Sequence, residues 1–285
     1  MRRSKLERTF GRKLVVVTGA SHGIGLATAG RAFGLGADVC IVARGRSGLQ
    51  EAAERIERAR VRPDQALEQL ACDCTGSEQA GALLDDLTAR RGAPRFLINC
   101  VGFARPCYVE ELDLSDFREH MEANYYGQLV PTLALLPHML RAGTGHITNV
   151  SSLLGFMGAM GYCAYSPAKF AIAGLTDSLR NELSPRGLSF SVVYPPDVDT
   201  PGYAEENLAK PFECREISKW TRVMSAEAVA EAMVSGIAAG RYEIVPGEAL
   251  FVWRMYRHFP RLVRRAVDLD YLRARRKRLA TPAAD

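Results

Sequence analysis

A phenol and an ammonium stand four residues apart in Tyr165-Ser166-Pro167-Ala168-Lys169. On a helix, that spacing puts both side chains on one face. A free tyrosine, with a pKa near 10, exchanges protons poorly at neutral pH. A neighbouring ammonium favours the phenolate, so the pair reads as an acid–base device in which Tyr165 gives the proton and Lys169 lowers its pKa. Pro167 is costly inside a helix but cheap in its first turn, which places Tyr165 at a helix start. Ser151-Ser152 follows the apolar run His146–Val150. Open α/β sheets present ligand-contacting residues at such strand carboxyl ends, and a hydroxyl there, that of Ser152, can hold a carbonyl and stabilise oxyanion charge. Asn124, within Glu122-Ala123-Asn124-Tyr125-Tyr126-Gly127, is a candidate for holding a water that relays protons to Lys169. Capping or bending a helix is its structural alternative.

A second constellation lies near the start. Thr18-Gly19-Ala20-Ser21-His22-Gly23-Ile24-Gly25 joins the apolar run Leu14–Thr18 to a helical stretch from Gly23 to Gly34. Glycines in that context allow a tight turn, a close backbone approach to a pyrophosphate and close helix–strand packing, while the helix N-terminus offers N–H groups to phosphate. Strand, turn and helix in that order make this a dinucleotide loop. At the end of the second apolar run, an NAD enzyme places a carboxylate for the ribose 2′-hydroxyl. This chain has Ala43-Arg44-Gly45-Arg46. A guanidinium at Arg44 suits a 2′-phosphate, which predicts NADPH/NADP+ as the cofactor, whereas Arg46 also reads as a surface residue. An oxidised nicotinamide would add to the ammonium in favouring the Tyr165 phenolate.

The elements that must position these residues alternate. Asp38–Ala43, Ala66–Cys72, Phe96–Asn99, His146–Val150, Ser189–Tyr194 and Arg241–Val245 read as further strands, separated by helix-length segments such as Ser47–Arg60. That order predicts an α/β fold, a doubly wound parallel sheet (Rossmann-like) with helices on both faces. The whole chain, 1–285, reads as a single catalytic domain with core 13–247 and a basic amphipathic C-terminal helical extension, 248–285. The net charge of +5 is concentrated at the ends, Met1 to Lys13 and 251–285, and the body between them is mildly acidic. Basic ends suggest an anionic surface partner or simply solvated faces. In the extension, Phe251, Trp253, Tyr256, Phe259, Leu262 and Leu269 alternate with arginines. Such a helix either lies in an anionic membrane interface or packs its apolar face on the body or on a twin subunit. With no apolar run long enough to span a bilayer and no signal-peptide core, the sequence reads as cytoplasmic, with peripheral contact at the membrane face. The seven cysteines (Cys40, Cys72, Cys74, Cys100, Cys107, Cys163, Cys214) include no CxxC pair and no neighbouring histidines, which favours reduced thiols over a zinc site. A nucleic-acid partner is disfavoured because the basic residues sit in an apolar amphipathic tail and not in a reader motif.

Taken together, these residues resemble the short-chain dehydrogenase/reductase family over about Lys13 to Val245. The resemblance rests on the glycine loop, Asp73, Asn99-Cys100-Val101-Gly102, Asn124, Ser152, Tyr165, Lys169 and the prolines after the sixth strand. It implies hydride transfer from nicotinamide to a carbonyl carbon, with Tyr165 protonating the oxygen. Ser152 would orient the carbonyl, Lys169 would hold the nicotinamide ribose, and Asn124 would complete the relay. It also implies cofactor contacts from Thr18, Gly19, Ser21, His22, Gly23, Ile24, Gly25, Arg44, Asp73 (at adenine), Asn99, Tyr165, Lys169, Pro195 and Val198, no metal, and a homo-oligomer formed through long helices. Cys100-Val101 departs from the usual small and amide residues there, conservatively.

The stretch Tyr194-Pro195-Pro196-Asp197-Val198-Asp199-Thr200-Pro201-Gly202-Tyr203, with Glu205-Glu206-Asn207, Lys210-Pro211 and Phe212–Ser218, resembles the signature of the 3-ketodihydrosphingosine (3-dehydrosphinganine) reductases. That resemblance implies a long-chain amino-ketone lipid as substrate. Asp197, Asp199, Glu205 and Glu206 would then attract its ammonium, and Leu153, Leu154, Phe156, Met157 and Met160 would line a path for its chain. The structural alternatives are acids that cap a lid helix and apolar residues that are core. Two other functions stay open: a reductase of another hydrophobic carbonyl (steroid, retinoid or 3-ketoacyl thioester) and a non-catalytic NADP(H)-sensing or scaffold protein. The intact Ser152, Tyr165 and Lys169 argue against the latter.

Overall fold

The computed structural model describes residues 3–219 and 221–280. Strands β1 (Leu14–Thr18), β2 (Asp38–Ala43), β3 (Leu67–Ala71), β4 (Phe96–Asn99), β5 (Gly145–Val150) and β6 (Leu188–Val193) are followed by the short β7 (Val198–Asp199), β8 (Met224–Ser225) and β9 (Glu243–Ile244). Seven of them form one sheet in the order β3-β2-β1-β4-β5-β6-β9, every neighbouring pair parallel. The reversal of order between β1 and β4 opens a crevice at their carboxyl ends. Helices α1 (Arg3–Phe10), α2 (Gly23–Phe33), α3 (Arg46–Glu57), α4 (Ser77–Arg91), α5 (Leu114–Met121), α6 (Gly127–Arg141) and α7 (Tyr165–Leu183) lead into α8 (Pro201–Ala209), α9 (Phe212–Ser218) and α10 (Ala226–Ala238). The extension is α11 (Ala249–His258) and α12 (Pro260–Ala280).

Alternation along the strands explains the two layers of helices. Val15 and Val17 join one buried cluster with α2, α3 and α10, while Val16 joins another with α4, α6 and α7. Successive side chains of a strand point to opposite faces, so a run such as Leu14-Val15-Val16-Val17 is stable only where both faces are covered. The basic start holds more structure than its charge suggested. Leu6 and Phe10, four apart on α1, are buried, and Phe10 stacks on Phe96 with ring centroids 4.6 Å apart. The last strand is shorter than expected, Glu243–Ile244 in place of Arg241–Val245, as befits an edge that pairs only with β6. Among the described residues no helix is long and apolar enough to cross a membrane.

Candidate active site

Two tight turns shape the cofactor end. Gly19 has φ of 66°, and a β-carbon there would come 2.8 Å from the backbone of Cys100, so the loop after β1 is pressed on the loop after β4. A β-carbon on Gly25 would overlap the carbonyl oxygen of Gly19, which lets α2 begin directly under the turn. His22 starts α2 without a side-chain cap, and the first turn carries no acid. Its first N–H groups therefore lack a protein acceptor and fit an anionic pyrophosphate. The helix after β2 repeats the device. Gly45 starts α3 without a side-chain cap or first-turn acid, between the exposed Arg44 and Arg46. Arg44 reaches far enough towards the end of β3 to favour the Cys74 thiolate, although burial outweighs it and pushes that thiol up to about 12. Asp73 turns inward on its own loop, accepting from Thr75 N and Oγ1 at 3.0 and 2.9 Å.

Thr18 and Asn99 do not present their side chains to a ligand. Thr18 Oγ1 donates to Asn99 Oδ1, Asn99 Nδ2 donates to Thr132 and Asn149, and Asn149 Nδ2 donates to Thr176 Oγ1. This wholly buried chain ties β1, β4 and β5 to α6 and α7. Buried amides and hydroxyls must be paired, and here they pair with each other. Whatever Thr18 and Asn99 offer a cofactor comes from the main chain.

Tyr165, Lys169, Ser152 and Asn124 converge on one cleft of about 360 Å³ with Ile24, Pro195 and Val198. Tyr165 is the first residue of α7, as Pro167 required. Lys169 follows one turn on, with Nζ 5.6 Å from the Tyr165 ring centroid and donating to Val150 O at 3.1 Å. Ser152 opens a 3₁₀ turn (Leu153–Gly155) and accepts from Leu154 N at 3.1 Å. Its neighbour Ser151 donates to Lys169 O at 2.8 Å, which docks that turn on α7. Gly102 separates Asn124 from Lys169. A β-carbon there would come 2.5 Å from Asn124 Oδ1 and 2.9 Å from Lys169 Nζ, so only glycine admits both polar groups.

Asn124 lies inside a π-helical turn, Glu122–Tyr126, between α5 and α6. Such bulges often mark functional sites. Its amide donates to Phe103 O and His120 O and accepts from Phe103 N, so it pins the loop after β4 to this bend in the helix and does not cap a helix end. One lone pair of Oδ1 remains for a water. Gln128 went unremarked in the sequence. It donates to Val101 O, Asn124 O and Val150 O and accepts from Val150 N, joining both strand ends that frame the cleft. The signal was there to read. His120, Asn124, Gln128 and Thr132 recur every four residues and are fully buried, forming a polar stripe where a core face would be apolar.

The expected effect of Lys169 on Tyr165 is not what dominates. Burial pushes the phenol above its ordinary value, hydrogen bonding from Ser152 opposes the rise, and the charges of Glu206 and Asp197 add to it. Burial also pulls Lys169 down to about 8. Both shifts follow from taking an ionisable group out of water. At rest the tyrosine is therefore firmly protonated, as suits a donor.

The four carboxylates named from sequence separate. Asp197 and Glu206 line the cleft, whereas Asp199 and Glu205 are exposed and do not. Leu153, Leu154, Met157 and Met160 line it too, and Phe156 packs instead on Tyr194 and Tyr256, at 5.4 and 5.6 Å between centroids. The extension supplies part of the wall through Val267, Asp270 and Tyr271 of α12. Arg278 anchors that helix, donating to Tyr108 Oη at 2.8 Å and to Glu213 at 3.4 Å. The tail therefore packs on the body, while Phe251 of α11, Phe259 between the helices, and Leu262, Leu269 and Leu272 of α12 stay exposed. All seven cysteines are free.

Comparison with known proteins agrees with this geometry. The family model described as short chain dehydrogenase matches residues 13–211. A 3-dehydrosphinganine reductase of Danio rerio is 36% identical over 229 residues, 80% of this chain and 69% of that one. A 3-ketodihydrosphingosine reductase of Mus musculus is 37% identical over the same shares, and one of Dictyostelium discoideum is 42% identical over 62% of this chain and 54% of its own. A solved structure described as levodione reductase superposes with a TM-score of 0.72 at 23% identity, covering 83% of this chain and 96% of that one, which speaks to the fold.

Proposed function

This chain belongs to the short-chain dehydrogenase family, whose members use nicotinamide dinucleotides, and from that premise we propose that it reduces 3-ketodihydrosphingosine to dihydrosphingosine with NADPH. The observation that carries the reading is a single cleft that sets Ser152, Tyr165 and Lys169 beside the carboxylates of Asp197, Glu206 and Asp270 and an apolar wall. A long-chain amino ketone has those three parts: a carbonyl, an ammonium and a chain.

When bound, the reduced nicotinamide supplies a hydride to the carbonyl carbon. Ser152 holds the carbonyl oxygen and Tyr165 Oη gives it a proton, leaving the alcohol. Lys169, fixed by Val150 O, binds the nicotinamide ribose and resupplies the phenolate through water held at Asn124. Pro195, Val198 and Ile24, which line the cleft, would hold the nicotinamide. The uncapped start of α2, with Gly19, Ser21, His22, Gly23 and Gly25, would take the pyrophosphate, and Asp73, which accepts from Thr75, would turn to the adenine. Choice of NADPH falls to Arg44, supported by the free N–H groups at the start of α3.

The exposed apolar face of α11 and α12, interleaved with arginines, favours contact with an anionic bilayer, from which such a lipid would be drawn. Leu133 on α6 and Phe170 on α7 offer an exposed apolar face for pairing two copies. The central test is NADPH consumption on 3-ketodihydrosphingosine with mass analysis of the product. A gain of two hydrogens supports the reading. Recovery of unchanged ketone, with turnover of a steroid, retinoid or 3-ketoacyl thioester instead, overturns it. Flotation of the full chain with anionic liposomes, lost in Phe259→Glu/Leu262→Glu, tests the membrane contact.

A further inference from the structure

Behind the cleft wall lies a charge imbalance. Glu206 accepts from Tyr162 Oη at 2.6 Å, and Lys210 Nζ stands 3.5 Å from the same oxygen. Lys210 is 3% exposed, its ammonium makes no hydrogen bond in good geometry, and it sits 4.4 Å over the Tyr203 ring. Tyr203 in turn donates to Asp197 Oδ2 at 3.1 Å. Two carboxylates thus share one buried cation, which pairs with Glu206, and among the described residues no cationic side chain forms an ion pair with Asp197. Asp197 is half-buried, so a cation brought by a ligand would meet there a carboxylate that no cationic side chain among the described residues neutralises. The imbalance adjoins the proton donor: the Tyr162 and Tyr165 ring centroids are 6.0 Å apart.

We propose that Asp197 is the acceptor for the ammonium of a 2-amino ketone, with Glu206 held behind it by Lys210 and Tyr162, so that binding the amine also places the carbonyl. This rests on the reductase reading above. In such a substrate the nitrogen is bonded to the carbon next to the carbonyl, so seating it on Asp197 leaves the ketone little freedom beside Ser152 and Tyr165. Asp199 and Glu205, exposed on the outer side of the same segment, take no part.

A second consequence concerns proton transfer. Burial is the main obstacle to ionising Tyr165, the charge of Glu206 adds to it, and the field of Asp197 adds a further part. An ammonium on Asp197 cancels that field, so the phenol becomes a better acid when an amine-bearing ketone is in place. A ketone without the amine leaves the field standing and is protonated more slowly. Recognition and acid strength are thereby linked through one carboxylate.

The test compares kcat/KM at saturating NADPH for 3-ketodihydrosphingosine and for the ketone of equal length lacking the 2-amino group, in the wild type and in Asp197→Asn. The wild type should favour the amine by about 30-fold or more, and Asp197→Asn should remove most of that preference by slowing the amino ketone while the deaminated ketone keeps or gains rate. Equal losses on both ketones, or no loss on either, overturn the proposal. The N-acetylated amino ketone gives a check on the wild type that needs no variant: it should behave as the deaminated ketone does, and turnover equal to that of the free amine overturns the ammonium's role. Failure of the wild type to reduce the amino ketone at all is a different outcome, which overturns the reductase reading itself.

Discussion

The two ends of the cleft are built on different principles. At the cofactor end, the working groups are main-chain N–H donors, and what matters about the sequence is what it leaves out: the β-carbons of Gly19 and Gly25, a capping side chain before α2 and an acid in its first turn. At the substrate end, the groups are side chains brought together from afar. Tyr108 meets Arg278 across 170 positions, and Tyr108 meets Glu213 across 105. A ligand shared by a whole family can be held by backbone, which every sequence has. A ligand particular to one branch needs side chains, and those come from the segments after β5 and after β6 together with α12.

If that contrast is right, substitutions should separate cleanly into those that stop chemistry, those that change the cofactor and those that loosen the lipid end. Tyr165→Phe should have the largest effect. It removes the proton donor but no packing, so kcat should fall by about 10²–10⁴-fold with NADPH affinity unchanged by titration. Full turnover would place the acid elsewhere. Lys169→Met comes next and should move activity and stability in opposite directions. The folded pKa, about 8, lies below the ordinary 10.5, so the buried ammonium is a burden that is fully present below pH 8 and is relieved as pH rises towards 10.5. The variant should therefore lose activity yet gain up to about 3 kcal/mol at pH 7, and the wild type alone should gain stability between pH 8 and 10.5. Arg44→Asp should be milder, shifting the NADPH/NADH preference by about 10–100-fold towards NADH, as the loss of charge-assisted hydrogen bonds implies. An unchanged preference would leave the second phosphate to the α3 N-terminus.

The same contrast explains what was legible. Elements and cofactor loop are local: Leu14–Thr18 followed by glycines and a helix means much the same wherever it occurs, and Pro167 placed Tyr165 at the start of α7. The direction of the Tyr165 shift was not legible, because burial depends on His120 and Tyr162 packing beside the ring, with Phe103 behind His120, and only the fold assembles them. Nor was it possible to choose among Asp197, Asp199, Glu205 and Glu206 by spacing, since a short strand and a helix turn alternate ones outward. Thr18 and Asn99 show the converse. Their positions in the motif were evident, yet their side chains turn to each other and to Asn149, which no pairwise spacing reveals.

The smallest expected effect tests the substrate end most directly. Arg278→Ala removes one anchor of α12, but its side chain is 52% exposed, and such a pair contributes under about 1 kcal/mol. Global stability should barely change, while hydrogen exchange along α12 should quicken. Burial alone would raise the Glu213 carboxyl. The Tyr108 hydrogen bond and Arg278 hold it below the usual range instead. A carboxyl depressed in the folded state contributes above its unfolded pKa, about 4.3, and loses that contribution as pH falls through the folded value. Protection of α12 in the wild type should therefore fall on acidification below about pH 4, and in Arg278→Ala that dependence should flatten. A loss of several kcal/mol in global stability would instead make the tail part of the core, and the two ends of the cleft would no longer be built so differently.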